Sequence, residues 1–268
     1  MKFSVLLSLY FKEKPEHLDA CFESIQNQSL KADEIVLVVD GPVGQELNEV
    51  VDKWALILPI KILRLSENVG LGKALNEGLD ICSNDIVFRM DTDDICCSDR
   101  FKIQLNAFDS DNSLMLVGGH IDEYDEGMKF ILGKRIVPIG YDTIKEKALF
   151  RSPFNHMTVA FKKSMVKNVG GYQHHLNMED YNLWLRIIAA GYKVDNVNET
   201  LVKARTGNSM LGRRKGFDYV KSEFKLFKLK RKLNLQNYGY GMLIFLVRSF
   251  PRLLPTSILR FIYKFTRN

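Results

Sequence analysis

Ile86-Val87-Phe88-Arg89-Met90-Asp91-Thr92-Asp93-Asp94 is a short apolar run that ends in three carboxylates. Five residues of that kind are strand length, too short for a helix, and the acids mark where the strand leaves the core. The same design recurs upstream, where Ile35 to Val39 stops at Asp40-Gly41-Pro42 and where Phe3 to Leu9 and Ile60 to Leu65 repeat the pattern. Between these runs the apolar spacing turns helical. Pro15 opens a segment with Leu18, Phe22 and Ile25 on one face, and Gly72 to Ile81 reads as a second helix. Strand, helix, strand, helix, strand predicts an α/β fold with a mostly parallel central sheet. Ligands bind beyond the carboxyl ends of such strands, so Asp40 and Asp91 should face one cleft. No glycine-rich phosphate loop follows the first strand: Ser8-Leu9-Tyr10-Phe11-Lys12 fits neither dinucleotide nor P-loop spacing.

Downstream the pattern becomes mixed. A helix is expected near Asp99 to Phe108, hairpin strands around Met115 to Ile136, a helix near Tyr141 to Arg151 and a strand at Met157 to Phe161. Glu179 to Ala190 carries Leu183, Trp184, Ile187 and Ile188 on a helical face ended by Gly191. The 268 residues are 46% hydrophobic, with 38 Lys and Arg against 32 Asp and Glu, which excludes disordered, collagen-like and multispan membrane classes. From residue 201 onward there are 16 basic and 2 acidic residues, a net of +14 against −8 for the preceding chain. The expected organisation is a body over 1–206 and a basic helical extension over 207–268. Cys21, Cys82, Cys96 and Cys97 have neither zinc nor disulfide spacing and read as free thiols. The amino terminus lacks a secretory pattern, and Met242 to Val247, interrupted by Arg248 and Pro251, is too short to span a bilayer, so a cytoplasmic location is expected.

Three carboxylates in the turn Asp91-Thr92-Asp93-Asp94 repel one another unless a cation or many donors compensate. Mg²⁺ or Mn²⁺ suits such hard oxygen ligands and commonly shares a substrate's phosphates. The other reading is a loop whose Asp94 or Asp99 caps the next helix, the role expected of Asp99. Asn68-Val69-Gly70-Leu71-Gly72-Lys73 sets two glycines and a lysine at a helix start, fit for an anion or simply for a turn. Glu179-Asp180 brings paired acids to another helix start, as a general base or as charge matched to the helix dipole. His156, His174 and His175 are either acceptor contacts or loop histidines with local partners.

Together these motifs resemble the family-2 glycosyltransferases of bacterial surface-polysaccharide synthesis, which have the GT-A nucleotide-sugar fold. The resemblance runs through Ser4 to Tyr10, Ser24-Ile25-Gln26-Asn27-Gln28-Ser29, Asp33 to Gly41, Asn68 to Gly78, Asp91 to Asp94, Gly170-Gly171-Tyr172 and Glu179-Asp180. Arg89-Met90-Asp91-Thr92-Asp93-Asp94, Pro153-Phe154-Asn155-His156 and Gly171-Tyr172-Gln173-His174-His175 further resemble the amylovoran-type exopolysaccharide and O-antigen enzymes. The resemblance implies a donor site of Asp40 on the uracil ring, Asn68, Gly70 and Lys73 at the adjoining loop, and Asp91 by the ribose or donor sugar. It implies Asp93 on a Mn²⁺ or Mg²⁺ ion with Asp94 in support, Asp180 as base with Glu179 beside it, and the three histidines toward the acceptor. At Arg205-Thr206-Gly207 the chain departs from an Arg-x-His segment common in relatives; Arg205 could still meet a phosphate. The implied reaction is inverting transfer of a hexose from a UDP-sugar to an undecaprenyl-diphosphate-linked sugar. Ile258, Phe261, Ile262 and Phe265 opposite Arg260, Lys264 and Arg267 suit an anionic membrane surface or packing on the body. No nucleic-acid motif accompanies the charge. The competing functions are an inactive membrane-bound assembly subunit and a sugar-nucleotide pyrophosphorylase, the latter lacking its basic glycine-rich loop.

Overall fold

The computed structural model describes residues 1–206 and 216–253; the expected boundary around 207–215 and the stripe from Ile258 to Phe265 lie outside them. Strands β1 (Phe3–Leu9), β2 (Glu34–Val39), β3 (Ile60–Arg64) and β4 (Ile86–Arg89) form the parallel half of one sheet, in the order β3-β2-β1-β4. They alternate with helices α1 (Pro15–Gln26), α2 (Gln45–Ala55) and α3 (Leu71–Ile81). Because β2 and β4 both flank β1 in parallel, their carboxyl ends emerge at one edge, where Asp40 follows β2 directly and Asp91 follows β4 after Met90.

The second half is mixed. Beyond β4 come β8 (Ala160–Lys162), β6 (Leu114–Tyr124), β9 (Lys193–Arg205) and β5 (Ile95–Cys96), with β7 (Ile131–Arg135) paired to β6 as the expected hairpin. β8 runs antiparallel to both neighbours, while β6 and β9 are parallel. The strand expected at Met157 to Phe161 begins only at Ala160, because His156–Thr158 forms a 3₁₀ turn. α4 (Arg100–Ser110), α5 (Tyr141–Lys147), α6 (Lys163–Asn168) and α7 (Glu179–Ala189) complete the body.

Side chains of β1 alternate between two cores, as the strand period requires. Val5, Leu7 and Leu9 pack with Phe22 of α1, Trp54 of α2 and Phe101 of α4, whereas Leu6 joins Leu75 of α3 and Trp184 of α7. Asp99 occupies the residue before α4 but does not cap it. Its carboxylate accepts from the Ser29 hydroxyl at 2.7 Å, and no side-chain bond reaches the helix start.

After residue 216 two further helices, α8 (Phe217–Lys232) and α9 (Tyr238–Ser249), lead to a short 3₁₀ turn. α8 contributes Tyr219 and Leu226 to the second core, and its buried Lys230 donates to the Leu149 carbonyl at 2.5 Å. α9 is tied to α8 by Arg248, which meets Glu223 at 2.8 and 2.7 Å, and by Phe245 against Phe224 and Phe227. None of the described helices is long and apolar enough to cross a membrane.

Candidate active site

The edge after β2 is built around Asp40, which is 2% exposed. One carboxylate oxygen accepts the Val69 N–H at 2.7 Å and the other the Gly70 N–H at 3.0 Å, while the Asn68 amide donates to the Asp40 carbonyl at 3.1 Å. Gly41 has a φ of +82°, and a Cβ there would stand 2.6 Å from the Asn68 nitrogen, so the two loops touch backbone to backbone. The residue expected to read a uracil ring is thus also the clamp of the Asn68–Gly70 loop. Lys73 is exposed and borders a cavity of about 170 Å³ with Val69 and Asn76.

After β4, Asp91, Asp93 and Asp94 each bring a carboxylate oxygen within 4.8 Å of the others. Burial, then the charges of Asp91 and Glu13, push the Asp93 carboxyl up to about 7. Burial, then Asp93 and Asp91, push Asp94 well up. Negative charge is therefore crowded here beyond what the donors present relieve. The buried Arg89 pairs with Asp91, and the Arg205 N–H reaches Asp94 at 2.8 Å. An all-oxygen set with this surplus of charge fits a hard divalent cation, with Asp91 joining Asp93 and Asp94. The Arg205 guanidinium donates to the Asp93 carbonyl at 3.0 Å and to the Glu126 carbonyl, bracing the turn.

Glu13 is a residue the sequence does not single out. It lies past β1, accepts the Thr92 hydroxyl at 2.7 Å, and its side chain is 7% exposed beside His17. Only its place after the first strand, within Lys12-Glu13-Lys14, hints at it.

A second polar group forms where α3 and α7 begin. The Cβ position of Gly72 lies 3.4 Å from the Glu179 Cγ, so the glycine lets the two helix starts approach. Tyr172 is held there by Asn76, whose oxygen accepts the Tyr172 N–H at 2.8 Å and whose amide donates to its carbonyl at 2.9 Å. The buried Tyr172 hydroxyl meets His156 Nε2 at 2.9 Å and feels the charges of both Asp180 and Asp91, which joins the two acidic groups across one side chain. Burial raises the Glu179 carboxyl, and Asp180 adds to the effect against its own helix-start N–H. Burial and Arg89 drive His156 well below the usual imidazole range, so it is a neutral partner of Tyr172.

His174 is exposed. His175 is not open to an acceptor: it is 2% exposed, with one ring nitrogen 2.9 Å from the Ser222 carbonyl of α8 and the other 3.2 Å from the Asn182 amide. It joins the loop before α7 to α8.

Residues 4–170 match the model of glycosyl transferase family 2. The chain is 48% identical over 262 residues to the amylovoran biosynthesis glycosyltransferase AmsE of Erwinia amylovora, covering 98% of each chain. It is 38% identical over 265 residues to the UDP-Gal:alpha-D-GlcNAc-diphosphoundecaprenol beta-1,3-galactosyltransferase of Escherichia coli, covering 98% of this chain and 95% of the other. Its fold matches the mannosyltransferase PcManGT from Pyrobaculum calidifontis, solved with GDP-Man and Mn²⁺, with a TM-score of 0.65 at 16% identity over 99% of this chain and 80% of that one.

Proposed function

Since the chain belongs to glycosyl transferase family 2 and carries its GT-A architecture, we propose that it is an inverting, metal-dependent hexosyltransferase of bacterial surface-polysaccharide synthesis. The donor is a UDP-hexose and the acceptor a sugar on undecaprenyl diphosphate, met at the inner face of the cytoplasmic membrane. One observation carries the reading: the carboxylates of Asp91, Asp93 and Asp94 crowd together past the end of β4, and the charges of Asp91 and of Asp180 at the start of α7 both act on the Tyr172 hydroxyl. The Escherichia coli relative, named for a UDP-Gal donor and a diphosphoundecaprenol acceptor, supports the substrate classes. The Mn²⁺ in the PcManGT complex supports the choice of ion.

Asp91, Asp93 and Asp94 would hold Mn²⁺ or Mg²⁺, which when bound supplies positive charge to a leaving diphosphate. The first N–H groups of α3, just past the loop that Asp40 clamps, face the nucleotide. Asp180 takes the proton of the acceptor hydroxyl as that oxygen bonds to the anomeric carbon. The bond from that carbon to the diphosphate breaks on the opposite side, so an α-linked donor yields a β-linkage. Glu179, its carboxyl raised by burial, orients the acceptor beside the base.

The test is calorimetric titration of UDP with Mn²⁺ and then with chelator, followed by transfer assays of Asp180→Asn. Binding only with metal, together with an Asp180→Asn enzyme that binds UDP but fails to transfer, supports the reading. Undiminished transfer by Asp180→Asn overturns the base assignment, and metal-independent UDP binding overturns the role of the aspartates.

A further inference from the structure

We propose that the outward face of α9 is a membrane-docking surface, inserting its apolar stripe into an anionic lipid monolayer while the basic face of α8 meets the headgroups. Leu243, Leu246, Val247 and Phe250 recur at i, i+3, i+4 and i+7 and are 59%, 55%, 64% and 67% exposed. The opposite arc of the helix is packed. Gly241, Ile244 and Ser249 are buried, Phe245 packs on Phe224 and Phe227, and Arg248 pairs with Glu223. A helix lying on a body in water shows a polar outer face, and this one shows leucine, valine and phenylalanine there.

Charge decides what covers it. α8 exposes Lys221, Lys225, Lys228, Arg231 and Lys232. Across 217–253 the acids are Asp218, bridged to Lys221, and Glu223, buried under Arg248. α8 and α9 pack side by side through Phe224 against Phe245, and Lys228 lies 4.6 Å over the same Phe224 ring on the α8 side of that joint. An apolar stripe edged with lysines complements acyl chains beneath anionic headgroups. A second copy packed by the same face would bring two basic α8 surfaces together. Residues 254–268, with Arg260, Lys264 and Arg267 and no acid, would likewise set positive charge on positive. α9 is too short to cross a bilayer, so the contact is interfacial.

The proposal rests on a lipid-linked acceptor, and its test is kept separate from that reading. The full-length chain is floated with phosphatidylcholine vesicles and with equimolar phosphatidylcholine and phosphatidylglycerol vesicles, alongside Mn²⁺-dependent UDP binding. The chain should float with the anionic vesicles alone. Leu246→Glu with Val247→Glu should lower partitioning by about tenfold or more, and Lys225→Glu with Lys228→Glu should do the same on the anionic vesicles, each lysine counting for roughly fivefold. Melting temperature and UDP binding should not change, since the altered side chains face outward. Wild-type chain that binds UDP but does not float overturns the proposal and leaves the transferase reading intact. So does a Leu246→Glu, Val247→Glu chain that floats like wild type, or a wild-type dimer that this variant converts to monomer. Normal flotation without UDP binding supports the surface and counts against the transferase reading.

Discussion

Replacing Asp40 by Asn tests whether the nucleotide edge is a built joint or a chance contact. The carboxylate accepts two backbone N–H groups from one loop, Val69 at 2.7 Å and Gly70 at 3.0 Å, at a site 2% exposed. An amide of the same shape keeps one acceptor oxygen and turns an NH₂ toward the other N–H. One bond to a charged acceptor, worth about 1.5–3 kcal/mol, is lost, and a buried donor left facing a donor costs about 1–3 kcal/mol more. The expected loss is therefore about 2.5–6 kcal/mol, a large share of the roughly 5–15 kcal/mol that holds a domain together. Urea unfolding with wild type alongside should show the midpoint falling by that loss divided by an unchanged slope, and the melting temperature falling by roughly 5–24 °C at ~2–4 °C per kcal/mol. UDP affinity should fall with it, because the loop proposed to adjoin the nucleotide is the one released. A loss below about 1 kcal/mol at constant slope would refute the clamp, since two charge-assisted bonds to buried backbone cannot be exchanged that cheaply.

Gly41→Ala reaches the same joint through the backbone: with φ at +82° and a Cβ 2.6 Å from the Asn68 nitrogen, it should cost at least about 1–2 kcal/mol in urea unfolding. Asp93, raised from 3.8 to about 7, makes the metal-free fold bind more protons than the unfolded chain between those values. Its contribution is thus present at low pH and lost as pH rises through 7. Relative to Asp93→Asn, the wild type should lose melting temperature between about pH 4 and about pH 7, and Mn²⁺ should restore it; parallel curves would count against the crowding. Lys230, lowered from 10.5 to about 7 by burial and then by Arg248, has the opposite sign, since the unfolded chain holds its proton through that window and the penalty is full below 7. Lys230→Met should therefore help stability most below about pH 7 and lose that advantage toward about pH 10, where the Leu149 carbonyl is left without its donor; a pH-independent difference would exclude a buried charge.

What the sequence makes legible here is what lies close along the chain. The apolar runs of β1, β2 and β4 are buried on both faces, so they read as strands from composition alone, and the acids that end them mark the cleft without any knowledge of pairing. Asp91, Asp93 and Asp94 share one turn, and their mutual repulsion is a local fact. β9 defeats the same reasoning. Lys193–Arg205 mixes Asp195, Asn196, Asn198 and Glu199 into a strand whose register on β6 shifts three times, which destroys the alternation a strand is recognised by. α2 is announced only by Leu47, Val51 and Trp54 at helical spacing.

The residues that hold the site together are long-range by nature. Asp40 meets Val69, Glu13 meets Thr92, and Tyr172 meets Asn76, separations of 29, 79 and 96 residues that no motif spans. His174 and His175 show how little adjacency decides: two identical side chains in one loop, one exposed and one buried because Asn182 and the Ser222 carbonyl bind its ring. Chemistry depends on what a side chain is, which sequence states outright. Placement depends on which distant group answers it, and that is settled by packing. The clamp at Asp40 belongs to both kinds, an acid at a strand end that a motif reveals and a loop fastening that only the fold explains. Its substitution should therefore lower stability and nucleotide affinity together, whereas Asp180, half-buried at the start of α7, should change transfer alone.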